Sequence, residues 1–291
     1  MERAQGIMAG LGAAAIWGGM YVVSKYVLGY VPPLTLVLLR EVIGAATLGL
    51  AMALTRPPAV RRRDLPLMVL LGFVGLFVSI VAQFAGTRLS TAANGALITS
   101  ATPSFLVLFA WPILGERLTP ARIAGLALAT GGVLVTVLTG EPDRAAGANP
   151  ALGNALLVVA ALTWALYSAL GRVAARRYPV LVTTAYATAI GALFTALVVP
   201  FELAASPVGE VPPPAWVGVL YLGVVSTAGA FYLWNKSIAL LGAGLPAILF
   251  FAQPVVGGLL GAALLGERLG QPFFAGSALI LLAVLVTARE G

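Results

Sequence analysis

The chain has neither cysteine nor histidine among its 291 residues, and only 9% of them are charged. Without cysteine there is no disulfide and no thiol chemistry. Without histidine both the commonest metal ligand and the commonest general base are missing. Its two aspartates, Asp64 and Asp143, fall in different connecting segments, so no aspartate pair can form. A nucleophile with its base, a carboxylate pair or a set of metal ligands is what an intramembrane enzyme would need. The one adjacent Ser-Lys pair, Ser24 and Lys25, points in two directions on a helix. Catalysis, a bound metal and a cofactor are therefore not expected.

What the chain does have is apolar length. Hydrophobic residues make up 60% of it and the mean hydropathy is +1.01, far from a soluble domain with roughly 25% charge. A helix needs about 20 apolar residues to cross some 30 Å of hydrocarbon. Cutting at Pro, Gly and charges predicts ten spans. Those of the first half are about Ile7 to Leu28, Leu34 to Leu54, Leu65 to Phe84, Ala92 to Leu114 and Ala121 to Leu138. Those of the second are Ala151 to Leu170, Val180 to Pro200, Trp216 to Leu233, Gly244 to Leu265 and Pro272 to Ala288. The first reads as an uncleaved span rather than a signal peptide, because its apolar run continues past Val22 and more spans follow. The expected fold is thus an all-α integral membrane protein in a lipid bilayer.

Basic residues are retained in cytoplasmic loops. With an even number of spans, Arg3, Arg56, Arg61, Arg62, Arg63, Arg117, Arg122, Arg172, Arg176, Arg177, Lys236 and Arg289 share the side of the termini. Lys25, Arg88, Arg144 and Arg268 fall opposite, and Arg40 lies inside a span. Both termini are expected in the cytoplasm of a cell with a bacterial-type inner membrane. The net charge of +7 then reflects topology and attraction to anionic lipid, and nucleic acid is not an expected partner.

The segment "LGERL" at Leu114 to Leu118 returns at Leu265 to Leu269, within a longer match: at a shift of 151, 18 of 45 positions from Ala96 onward are identical, where composition alone would give about 5. The match pairs Pro103 with Pro254. A shift of 147 pairs Trp17 with Trp164, Ser79 with Ser226 and Phe84 with Phe231. The chain thus divides into a five-helix unit over 1–140, an extracytoplasmic linker over 141–150 and a second unit over 151–291. Five is odd, so the second copy enters from the other side. Inverted repeats of this kind build secondary transporters, with the substrate site between the halves. The LGERL segment is expected to be a structural elbow, with its Arg against the carbonyls of a helix C-terminus. In the first copy Thr119-Pro120 starts the next helix.

Ten spans in two halves, each ending on a proline-bearing helix, an LGERL elbow and a glycine-rich helix, resemble the EamA-type drug/metabolite transporter superfamily over the whole chain. Length and aromatic content are similar to the YddG-type aromatic amino-acid exporters. The resemblance implies alternating-access transport of small organic solutes around a cavity lined by spans one, three, four, six, eight and nine.

Mid-span polar and aromatic residues are wasted on lipid and should face protein or water. On spans one and six these are Trp17 and Tyr21, then Trp164, Tyr167 and Ser168. Spans three and eight add Ser79, Gln83 and Phe231, and spans four and nine add Thr99, Thr102, Phe250 and Gln253. Pro103 and Pro254 each remove a backbone hydrogen bond and are candidate hinges. Such a pocket suits a small-molecule substrate with an aromatic or apolar body and a few polar groups. For a substrate carboxylate the candidate cations are Lys25 and Arg40; the plainer expectation is that Arg40 pairs with Glu41 and Lys25 reaches the interface. The glycine-rich face of Gly6, Gly10, Ala14 and Gly18 could serve an interface between copies, although such spacing more often packs helices within one bundle.

The expected function is export of aromatic or other neutral amino acids, with a carrier or efflux pump for another metabolite or drug-like solute, or a non-transporting scaffold, as the alternatives. Glu41 is the only carboxylate within a predicted span, toward its outer end, so gradient-driven export or exchange is expected rather than proton coupling. An imposed pH gradient should accordingly fail to drive concentrative uptake into liposomes carrying the protein; concentrative uptake would overturn this.

Overall fold

The structure is a computed structural model and describes residues 2–115, 119–139, 148–241 and 249–288. Among the described residues the chain is helical, without strands. The first half runs through α1 (Glu2–Val27), α2 (Pro33–Thr55), α3 (Leu65–Leu71), α4 (Ile80–Leu89), α5 (Ala92–Thr99), α6 (Thr102–Leu114) and α7 (Pro120–Thr139). The second runs through α8 (Pro150–Ala175), α9 (Val180–Ala205), α10 (Pro213–Leu220), α11 (Ala230–Leu241), α12 (Ala252–Leu265) and α13 (Gln271–Ala288). Among the described residues six helical stretches are long and apolar enough to cross a membrane: Glu2–Val27, Pro33–Thr55, Arg62–Leu89, Pro150–Ala175, Val180–Ala205 and Pro213–Trp234.

The distribution of polarity is inverted relative to a soluble domain. On α9, Leu193, Leu197 and Phe201 are each more than two-thirds exposed, whereas Thr184, Thr188 and Thr195 are buried. Positions spaced by four share one helix face, so one face of α9 is shaped for lipid and the other for polar contacts between helices.

Two helical stretches widen in mid-course. Gly72–Ser79, between α3 and α4, and Tyr221–Gly229, between α10 and α11, both form π-helical turns. Two others break. The chain leaves helix at Ser100 and Ala101 between α5 and α6, and turns at Phe250 and Phe251 before α12. Pro103 and Pro254 do not interrupt continuous helices, as their mid-span positions suggest. Each lies in the first turn of a new helix, where the missing N–H would be unpaired in any case.

The glycines of α1 pack inside the bundle. A methyl group on Gly10 would meet Ser237 Oγ at 2.6 Å, and one on Gly18 would meet the Gln253 carbonyl at 2.7 Å. On the side where α4 ends, Gly153 lies against backbone of that helix, with Ser90 N 2.7 Å from where its Cβ would be.

Charged side chains fasten helix ends to other helices. Lys25 Nζ donates to the carbonyls of Thr87 (2.9 Å), Arg88 (3.0 Å) and Ser90. All three ammonium protons thus meet the C-terminal carbonyls of α4, and Lys25 is spent as a cap rather than reaching for the interface. The Glu202 carboxylate accepts from Leu34 N (2.9 Å) and Thr35 N (2.7 Å) at the start of α2. On the opposite side, buried Asp64 accepts from Tyr178 Oη (2.7 Å) and from Arg177, and Tyr178 Oη accepts from Arg61 N (3.0 Å).

The second LGERL acquires a specific role from the same device. Gly266 adopts the left-handed conformation (φ +68°) and ends α12, as glycine does at C′. The chain then turns back so that buried Glu267 accepts from Ala92 N (2.6 Å) and Ala93 N (2.8 Å) at the start of α5. The glutamate makes a tie between elements. In the first copy Gly115 is also left-handed (φ +70°), while Glu116, Arg117 and Leu118 lie outside the described residues. Thr119 caps the following helix as expected, accepting from Arg122 N at 3.3 Å.

Charge-assisted bonds to otherwise unpaired N–H groups each contribute about 1.5–3 kcal/mol. Glu267→Ala should therefore lower the apparent melting temperature of the purified protein by several degrees, and Glu267→Gln, which keeps one acceptor oxygen, should fall between. An unchanged melting temperature for Glu267→Ala would contradict this role.

Candidate functional site

Ten of the twelve candidate binding residues line one small cavity: Trp17, Tyr21, Ser79, Gln83, Thr99, Thr102, Trp164, Phe231, Phe250 and Gln253. The irregular backbone positions this set. Ser79 ends one π-helical segment, Thr99 and Thr102 flank the α5–α6 break, Phe250 lies in the turn before α12, and Gln253 lies in the first turn of that helix. Non-helical backbone at membrane depth belongs next to a cavity or inside protein, where freed polar groups find partners.

One wall is aromatic. The Trp17 ring meets Phe231 at 5.6 Å and Phe250 at 5.7 Å, both edge to face, and Trp234 at 5.7 Å. Its Nε1–H donates to the Ser226 carbonyl at 3.1 Å, within the second π-helical segment. Trp164 completes the wall at 5.5 Å from Phe231. The paired tryptophans are thus not equivalent: Trp17 is buried in an aromatic cluster, and Trp164 is half-buried beside Tyr167, at 4.6 Å.

The other wall is a chain of hydrogen bonds with a definite direction. Thr99 Oγ1 donates to the Gly95 carbonyl at 2.7 Å, so it accepts at its side-chain contacts. Those are Tyr21 Oη at 2.5 Å and Gln253 Nε2 at 2.9 Å. Tyr21 Oη in turn accepts from Gln83 Nε2. Both amides spend their nitrogens within the network, Gln253 also on the Ala96 carbonyl at 3.1 Å. Ser79 Oγ donates to the Ala160 carbonyl at 2.9 Å, and Thr102 Oγ1 lies 3.4 Å from that of Ala161.

Tyr167 and Ser168 are not in the lining. The Tyr167 ring packs over Gly75 in the first π-helical segment, and Ser168 Oγ donates back to the Trp164 carbonyl at 2.8 Å. Their helical spacing from Trp164 suggested a shared face, but a tyrosine that fits over a glycine packs between helices instead. Conversely, Met20, Ile80 and Ala160 line the cavity, apolar or small residues with nothing in the sequence to set them apart. Arg40, one of the two candidate cations, lines it as well. The expected Arg40–Glu41 pair does not form: Arg40 donates to Thr227 Oγ1 (2.8 and 3.2 Å), whereas Glu41 accepts from Thr195 at 3.0 Å. Neighbouring helical residues diverge by about 100°, which sends the two charges to different helices.

A helical membrane protein whose interior polar and aromatic groups converge on one cavity belongs with the membrane transport proteins. The chain is a member of the EamA-like transporter family, whose model matches residues 4–138 and again 151–289. It is 31% identical over 267 residues to the aromatic amino acid exporter YddG of Ancylobacter novellus, covering 89% of this chain and 88% of that protein. It is 29% identical to a "Probable amino-acid metabolite efflux pump" of Escherichia coli, covering 98% and 95% of the two chains. A "Probable terminal-alkyne amino-acid exporter" of Streptantibioticus cattleyicolor is 28% identical, covering 84% and 81%. A solved crystal structure superposes with a TM-score of 0.69 at 26% identity, covering 99% of this chain and 98% of the other.

Tyr21→Phe should remove the acceptor of Gln83 and a donor to Thr99, and so destabilise the protein by about 1–3 kcal/mol. Thermal unfolding in detergent, read as a fall of several degrees with insertion intact, checks it.

Proposed function

We propose that the protein is a secondary carrier that exports aromatic or other neutral amino acids by alternating access between two inverted halves of five spans each, 1–140 and 151–291, joined by the linker 141–150. The observation that carries this reading is the cavity itself: four aromatic rings face a directed network of tyrosine, threonine and glutamine at the centre of a lipid-embedded bundle. Rings of a substrate stack on one wall, and its polar groups are oriented by the other. Two features support a duplicated carrier. The family model matches the chain twice, and the π-helical segments fall at positions that the internal repeat relates. The names of three relatives agree in substrate class.

The cavity measures about 40 Å³, room for a few water molecules and well short of the roughly 300 Å³ at which small-molecule sites begin. Admitting an aromatic amino acid therefore requires the surrounding helices to separate. The breaks at Ser100-Ala101 and Phe250-Phe251, with Pro103 and Pro254 opening the helices that follow, are where we place the hinges. On the same reading the protein lies in a bacterial-type inner membrane with both termini cytoplasmic, on the side of the Arg61–Asp64–Tyr178 cluster; the count of basic residues on either side supports this orientation.

The test is counterflow. Liposomes carrying the protein and loaded with unlabelled tryptophan, phenylalanine or tyrosine should accumulate the labelled form at equal pH, in competition with other aromatics but not with lysine or glutamate. Trp164→Ala should reduce exchange several-fold while leaving membrane insertion intact. No exchange of any amino acid would move the substrate to another metabolite or a drug-like solute; wild-type exchange by Trp164→Ala would remove that residue from the site.

A further inference from the structure

Arg40 is the only charged residue that lines the cavity among the described residues, and it is 3% exposed. It is the eighth residue of α2, roughly 10 Å along the helix from its first turn. A guanidinium has five N–H donors in a planar fork. Nε and Nη2 both donate to Thr227 Oγ1, at 3.2 and 2.8 Å. The Thr227 hydroxyl donates its own proton to the Leu222 carbonyl at 2.8 Å, a bond that spans five residues of the second π-helical segment. The threonine oxygen is thereby fixed as an acceptor. The Arg40 Cζ lies over the Phe84 ring, 5.1 Å from its centroid. One edge of the fork is consequently anchored, while Nη1 has no hydrogen-bond partner among the described residues.

A buried cation with unmet donors is costly, by several kcal/mol after relaxation. Glu41, its neighbour in sequence, offsets the charge at longer range but supplies no bond, because its carboxylate is turned to Thr195. Among the described residues no carboxylate lines the cavity. The free edge, made of Nη1 and the adjacent proton of Nη2, matches a planar oxyanion that accepts two parallel bonds. Across the cavity, the amide oxygens of Gln83 and Gln253 take no hydrogen bond from the described residues, since each amide acts there through its nitrogen. They offer acceptors to an ammonium group but no negative charge.

From this asymmetry we infer that Arg40 binds the substrate carboxylate, and that the site selects solutes by that carboxylate, with the amine secondary. The inference deepens, and rests on, the reading of the cavity as the substrate site. Substrates are amphipathic carboxylates, amino acids among them, and the corresponding amines and amides are rejected.

Counterflow of labelled phenylalanine in liposomes, with phenylalaninamide, phenylethylamine and phenylacetate as competitors and as labelled substrates, tests it on the unaltered protein. Phenylalanine and phenylacetate should be handled, and the amide and amine should be weaker by about tenfold or more, the order expected for losing one buried guanidinium–carboxylate contact. Arg40→Gln should raise the half-saturating phenylalanine concentration by a similar factor and flatten the preference for acid over amide. Arg40→Lys should retain part of that preference. If the wild type exchanges phenylalanine and its amide equally well, the assignment of Arg40 fails and the carrier reading stands. If amino acids are not exchanged but phenylacetate is, and Arg40→Gln loses it, the amino-acid reading fails and Arg40 stands. If neither amino acids nor phenylacetate are exchanged, both fall.

Discussion

In hydrocarbon a backbone N–H or C=O has no water to turn to, and every one left unpaired costs several kcal/mol. The architecture follows from where the chain honours that rule and where it departs from it. Regular helices run along the lipid boundary, where leucine and phenylalanine are exposed on α9. The departures, two π-helical widenings and two breaks, gather at the centre. Backbone carbonyls in and beside them take side-chain donors. The Ser226 carbonyl holds Trp17, the Leu222 carbonyl fixes the Thr227 proton, and the Gly95 and Ala96 carbonyls hold Thr99 and Gln253. The polar wall of the cavity is thus built on the same irregular backbone that creates the space.

Several of the few charged residues are spent on fastening helix ends. Lys25 closes the C-terminal end of α4, Glu202 the N-terminal end of α2, and Glu267 that of α5. In each case the partner helix is distant in sequence, so the caps that normally act locally here join separate parts of the chain. On the opposite side Asp64 does comparable work through Tyr178 and Arg177. Helices in lipid gain little from apolar association with each other, and electrostatic fastening at their ends adds to the close glycine contacts within.

Much of this was legible in the sequence, for identifiable reasons. Aromatic and polar residues in mid-span have few uses in lipid, so Trp17, Tyr21, Gln83, Thr99 and Gln253 stood out by type alone. Tyr167 and Ser168 were misplaced because a helical stripe tells which residues share a face but not how wide the cavity under that face is; a glycine on the opposing segment, Gly75, gave the tyrosine a seat outside it. The pairing of Arg40 with Glu41 was the wrong expectation because proximity in sequence outweighed the turn of the helix. The second LGERL does turn the chain after α12, yet a glutamate that caps a helix some 175 residues away in the chain leaves no local trace. The prolines were read as interruptions, whereas helix breaks just ahead of them turned them into starts, a distinction of two or three residues below the resolution of hydropathy.

The anchoring of Arg40 has an entropic side. A free arginine gives up about 2 kcal/mol of rotamer freedom when it is immobilised. Here Thr227 and Phe84 immobilise it during folding, so that cost is not charged to each encounter with a solute. A rigid, half-used donor therefore holds a matching oxyanion more tightly than a mobile one would, and a solute that leaves its donors unmet is at a disadvantage from the first contact.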